Sequence, residues 1–130
     1  MRPETELFLA KARNDLADAR TVASIGLASI AARSAYFVAF HAAEAYIFER
    51  SGKVAKTHSG VRSEFARLAR ASSGIGKPVS AFLGEAYKFK EISDYGLDQR
   101  ESVTIEEANA AIVNAELFLS IVAASLEFEA

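Results

Sequence analysis

Apolar residues recur along this chain in steps of three and four, and nowhere with the alternation of a strand. Residues 3 to about 24 read as a first helix. Pro3 suits an opening helical position, and Glu4 and Glu6 fall in the first turn, where the helix dipole favours acids. Phe8, Ala12, Leu16, Ala19 and Ala23 make its apolar stripe, and Gly26 breaks it. Residues 27 to about 51 form a second, more apolar helix. Ala32, Tyr36, Ala39, Phe40, Ala43 and Ile47 share one wide face, with Phe37 and Phe48 beside it. Such a helix belongs at the centre of a fold, with Phe40 in the core. Ser51-Gly52 ends it.

Lys53 to Thr57 is a loop, with Thr57, His58 and Ser59 as competing N-caps for a third helix running to about Ala71. Its stripe of Val61, Phe65 and Leu68 is narrow. Arg62, Arg67 and Arg70 then point elsewhere, as fits a helix on the outside. Residues 72–76 form a loop. Pro78 opens a fourth helix that runs through Phe82, Ala86, Phe89 and Ile92 to about Tyr95, with Gly96 as a natural stop. Residues 96–103 are a polar connection. Thr104 and Glu107 make a capping box, and the fifth helix carries Ala108, Ile112, Ala115, Leu119, Val122 and Leu126 in alternating steps of four and three. The expected architecture is all-α: one domain over residues 1–130, an antiparallel up-and-down bundle of four long helices plus one shorter basic helix.

A chain of 130 residues can hold one domain with a core, and is short for two. It is 51% hydrophobic and 25% charged, the balance of a soluble globular protein. No apolar stretch reaches membrane-spanning length without a charge or strong polar break, and the N-terminus lacks an apolar signal core. A cytoplasmic location with no membrane partner is the expectation. Cysteine is absent, which excludes disulfides, thiolate catalysis and cysteine-ligated zinc. The net charge of −2 hides a segregation: Arg50 to Lys77 holds seven basic residues and one acid, Glu64, while residues 101–130 hold no basic residue. A basic patch on an acidic body attracts phosphates; it can equally be the solvated face of a helix.

Candidate chemistry gathers in two places. On the fourth helix Tyr87, Lys90 and Asp94 are three and four residues apart and share one face, and Tyr95 follows at its end. The spacing fits a ligand notch, and it fits an ordinary ion pair between half-buried tyrosines. Lys56 and His58 stand at the start of the basic helix, where unpaired backbone N–H groups favour an anion; His58 can also serve there as a cap. His41 and Glu44 are three apart on the second helix, but a di-iron bundle needs Glu-x-x-His pairs on several helices, so no metal site and no cofactor is expected. His41 reads instead as a core or boundary histidine with a satisfied ring. No Gly-x-Ser-x-Gly turn or phosphate-cradling glycine loop occurs.

Three segments in order resemble the HEPN domains (higher eukaryote and prokaryote nucleotide-binding), in their small bacterial and archaeal branch. Ala35-Tyr36-Phe37-Val38-Ala39-Phe40-His41-Ala42-Ala43 is similar to that branch's Ala-Tyr-Tyr-Ala-x-Phe-x-Ala-Ala run. Lys56-Thr57-His58-Ser59-Gly60-Val61 matches its Lys-Thr-His-Ser-Gly-Val loop, and Lys90-Glu91-Ile92-Ser93-Asp94-Tyr95 corresponds to its Arg-x-x-Ala-Asp-Tyr motif. The acidic last helix fits as well. The resemblance implies a helical bundle, commonly a homodimer, that binds nucleotide or RNA. It also implies a partner, a minimal nucleotidyltransferase in a toxin–antitoxin-like pair. Catalytic members are metal-independent ribonucleases with an Arg-x4-6-His motif, in which a cation steadies the phosphate and histidine moves a proton. Here Lys90 stands for the arginine and Asp94 for the histidine, and the Ser-Arg before the first run is inverted as Arg33-Ser34. The resemblance thus implies phosphate contacts at Lys56, His58, Lys90, Asp94 and Tyr95. A weak ribonuclease using Lys90, Asp94 or His58, and a non-catalytic interaction module, remain as alternatives.

Overall fold

The computed structural model of the protein describes residues 1–72, 74–95 and 102–129. They form five helices: α1 (Pro3–Ser24), α2 (Ala28–Ser51), α3 (His58–Arg70), α4 (Lys77–Tyr95) and α5 (Ile105–Glu129). There is no strand among the described residues. Local chemistry sets the boundaries. Gly26 turns the chain after α1 at φ +81°, and Gly52 caps α2 at φ +71°, donating its N–H to the Phe48 carbonyl. Of the three candidate caps for α3, Thr57 holds the position, its Oγ1 accepting from the Gly60 N–H at 2.9 Å. The capping box of α5 is reciprocal: Thr104 N–H donates to Glu107 Oε1 at 3.0 Å, and Glu107 N–H to Thr104 Oγ1 at 3.1 Å. Gly96 and most of the connection after it lie outside the described residues. Val103, at the far end of that connection, is buried rather than a polar-loop residue.

Helix α2 is the centre, packing against each of the other four helices. Its buried residues run round most of its circumference, and seven of them are alanines. Small side chains let neighbouring helices approach closely, while Tyr36, Tyr46 and Ile47 fill the remaining space. Helix α1 begins where α2 ends: the Arg2 N–H and the Thr5 hydroxyl both donate to Glu49 Oε1, at 2.8 and 2.9 Å. The Arg2 N–H, with Thr5 helping, holds the Glu49 carboxyl below its usual pKa. The six stripe positions of α5 are all buried. Helix α5 is also long and apolar enough to cross a membrane by length and composition. Here its stripe faces α2, and Glu116 on its flank pairs with Arg20 of α1 at 2.6 Å.

One core expectation is corrected. Phe40 is only partly buried, because its ring lies on the edge of α2 that faces His58, at 4.7 Å between centroids. On α3, Leu68 is likewise partial and Ala69 takes the inward place. The fully enclosed aromatic stack is Tyr46, Phe65 and Phe118, with centroids 5.2 Å apart at each step. Phe65→Ala should therefore cost about 3–5 kcal/mol in urea unfolding. Phe40→Ala should cost clearly less, and the reverse order would show that this ranking of the core is wrong.

Candidate functional site

The face of α4 that carries Tyr87, Lys90 and Asp94 meets α2 and α3. Lys90 Nζ contacts Asp94 Oδ2 at 2.7 Å, and Arg33 Nε of α2 donates to Asp94 Oδ1 at 2.9 Å. One carboxylate thus bridges cations from two helices. The Lys90 hydrogen bond, with Arg33 adding to it, holds Asp94 below the usual carboxylate range; the same bond raises Lys90. Lys90 is 8% exposed, its stem covered while its ammonium stays paired. It is therefore an engaged cation rather than a free one, and the ordinary ion-pair reading of this spacing holds for Lys90 and Asp94. Tyr95 stands 69% exposed with its ring 5.8 Å from Lys90 Nζ.

His58 opens α3 directly after the Thr57 cap, and this sets its ring on the aromatic edge of α2. Its Nδ1 lies 2.7 Å from the Tyr36 hydroxyl, and its ring packs against Phe40, Tyr36 and Tyr87. Burial lowers the His58 pKa, and the charges of Lys90 and Arg62 lower it further, so the imidazole is neutral at pH 7. Burial likewise raises the Tyr36 phenol far above its ordinary value against the pull of Arg62. His58 and Lys90 thus share one site around Tyr87. Lys56 is exposed in the preceding loop and, among the described residues, makes no ion pair.

Arg62 is the residue that the outward reading of the α3 arginines misses. It does not point away. Its guanidinium carbon sits 4.0 Å from the Tyr87 ring centre, the group also reaches the Tyr36 hydroxyl, and its Nη1 is buried with no hydrogen-bond partner among the described residues. The sequence did hold a signal: Arg62 is one turn beyond His58, so the two share a face of α3. Arg33 is the second addition, stacked 4.9 Å over Phe37 while it holds Asp94. Two further acids border the cluster. Glu91 hydrogen-bonds Tyr87 and raises its pKa, and Glu44 is engaged with His41.

The His41 ring is hydrogen-bonded at one nitrogen and only near a carboxylate at the other. Nδ1 meets Glu44 Oε1 at 2.7 Å, Nε2 lies 3.5 Å from Asp15 Oδ2, and the ring stacks on Phe37. Among the described residues no group of three or more His, Asp or Glu side chains is arranged to hold a metal ion.

The Asp94 bridge gives a pH signature. Its folded pKa lies below the unfolded one, so its contribution is fully present above the ordinary carboxylate pKa and is lost as pH falls through the folded value. Asp94→Asn should flatten the acid side of the stability–pH curve relative to wild type, measured by urea midpoints. An identical acid slope in both proteins would mean that the bridge does not form in solution.

The sequence matches the HEPN domain over residues 5–126. A comparison with curated proteins finds no match. Among solved structures, the fold is similar to the crystal structure of TT1696 from Thermus thermophilus, with a TM-score of 0.81 at 21% identity, covering 95% of this chain and 99% of that one. That likeness shows a shared five-helix fold and no more. The family match runs from the first turn of α1 into the last turn of α5 and takes in every residue of the notch. The chain belongs to the HEPN domain family, a family of helical proteins related to nucleotides and RNA.

Proposed function

We propose that the notch between α2, α3 and α4 binds the phosphate of a nucleotide or of RNA, and that the protein, one domain over its length, works with a minimal nucleotidyltransferase in a toxin–antitoxin-like pair. The observation that carries the phosphate reading is Arg62: a guanidinium laid on Tyr87, with a Nη1 that has no acceptor among the described residues. An unmatched buried donor is costly, and a phosphate oxygen is the acceptor that a planar guanidinium fits best. Neutral His58 lies beside it and can donate or take up a proton as the anion arrives. Lys90 adds positive charge, tempered by Asp94, which keeps Lys90 and Arg33 in place. Exposed Tyr95 stands beside Lys90, and Lys56, in the loop before His58, is the further cation assigned to the phosphate on this reading. Family membership supports the nucleotide or RNA class. The Lys56–Val61 and Lys90–Tyr95 likenesses support the partner and the homodimer.

A weak metal-independent ribonuclease is the second reading, favoured by the depressed pKa of His58. A neutral imidazole can accept the 2′-hydroxyl proton while Arg62 and Lys90 steady the phosphate. Its weak point is the acid: Asp94, held ionised by two cations, is a poor donor to the leaving 5′-oxygen.

Isothermal titration with AMP and short RNA tests the first reading. Arg62→Ala should weaken both about tenfold to a hundredfold, the loss of one charged hydrogen bond of about 1.5–3 kcal/mol. The bound anion favours the imidazolium, so affinity should rise as pH falls toward the lowered His58 pKa, and His58→Asn should remove that slope. Unchanged binding in Arg62→Ala ends the phosphate reading. RNA cleavage that persists in EDTA and disappears in His58→Asn moves the assignment to the ribonuclease.

A further inference from the structure

We infer that the notch is one end of a track for a single strand of nucleic acid, with a second cationic subsite at Arg70 and Lys77; this rests on the phosphate reading of the notch. Helices α3 and α4 lie against each other in opposite directions. Arg62, near the start of α3, meets Tyr87, near the end of α4. The end of α3 and the start of α4 enclose a cavity of about 430 Å³. Its lining includes Arg70 and Lys77, with the hydroxyls of Ser72 and Ser80, over a floor of Ala66, Ala69, Ile75 and Ala81; among the described residues it includes no acid. This cavity lies away from the notch, toward the other end of the same helix pair.

The helical register joins the two. Arg62, Ala66 and Arg70 recur at four-residue steps, so α3 presents a cation at each end of one face with a small residue between. On α4 the face runs from Ala81 at the cavity through Gly84 to Tyr87 at the notch. A Cβ built on Gly84 would meet nothing within 4 Å, so no side chain closes the middle. The acids of these two helices are directed elsewhere or engaged. Glu64 pairs with Arg67, Glu85 lines a separate groove with α5, Glu91 bonds Tyr87, and Asp94 is bridged.

Eight residues of helix separate Arg62 from Arg70, an axial distance of about 12 Å. At a rise of roughly 3.4 Å per nucleotide along the axis of a stacked strand, that is about three to four nucleotides. A mononucleotide can use one end only. A strand of that length reaches both cationic ends and crosses an uncharged floor between them. The ligand class that suits the groove is therefore an oligonucleotide strand rather than a free nucleotide.

Fluorescence or calorimetric titration of the full chain with AMP and with oligoadenylate RNAs of roughly two to six nucleotides is the test. Wild-type affinity should climb with length and level off near about four nucleotides. The Arg70→Ala/Lys77→Ala double variant should bind AMP as wild type does. It should bind the longest RNA about tenfold to a hundredfold more weakly, with a salt slope shallower by roughly 1.4, two single-strand phosphate contacts. Ala81→Glu keeps an exposed helix position helical and sets an acid beside the track; it should reproduce the loss on long RNA and spare AMP. AMP binding with no gain over length, or a length dependence that survives both variants, overturns the track and leaves the notch standing. A wild-type protein that binds neither AMP nor RNA overturns the phosphate reading itself.

Discussion

A helix that touches four others has few free positions on its surface, and this constraint on α2 shapes the rest of the protein. Large side chains all round would hold the neighbours apart; seven buried alanines let them close in. The rings that α2 does carry are then confined to particular edges. Tyr46 fills the side toward Phe65 and α5, which is dry core. Tyr36, Phe37 and Phe40 fill the side where α3 begins and α4 ends. That second edge cannot be closed by another apolar helix, because α3 enters there through a capped loop with His58 at its first position. The polar site exists because packing leaves an aromatic bed at the margin of the bundle, and a histidine and an arginine of α3 rest on it.

On such a bed, charge is held by position as much as by pairing. Asp94 joins Arg33 of α2 to Lys90 of α4, tying two helices by one carboxylate. The pair satisfies Lys90, whose stem is covered. Among the described residues, Arg62 keeps one donor, Nη1, without an acceptor. The distinction matters for ligand choice. An ammonium already bonded to a carboxylate gains little from a second anion, whereas a stacked guanidinium with a free edge gains a hydrogen bond and keeps its place on the ring.

The five helices were legible because their signals are local: a three-and-four stripe, a proline at a first turn, a reciprocal Thr104–Glu107 box. The central place of α2 was legible from its composition. Phe40 was misplaced because an apolar face marks which side of a helix is inward, not which ring reaches the rim, and that depends on where α3 crosses. The site was half legible. Tyr87, Lys90 and Asp94 share a face by spacing alone, and the structure keeps them together. The closeness of His58 to them is a tertiary fact, set by the loop after Gly52. Arg62 was read as outward because Val61 and Phe65 define a narrow stripe, and a long side chain beside such a stripe can turn back over it.

The basic segment takes on a different meaning once the register of α3 is known. Counted as charge, Arg50 to Lys77 is a patch. Placed on the helix, Arg67 is spent on Glu64 on another face, while Arg62 and Arg70 lie in line, an alanine midway between them. Net charge attracts any polyanion from a distance and is screened by salt. Cations in line at a fixed interval, over a floor of small side chains, impose a length on what they bind. On the strand proposal, the change from patch to line is what would favour a strand over other polyanions, and it is made by the helical repeat rather than by any added residue.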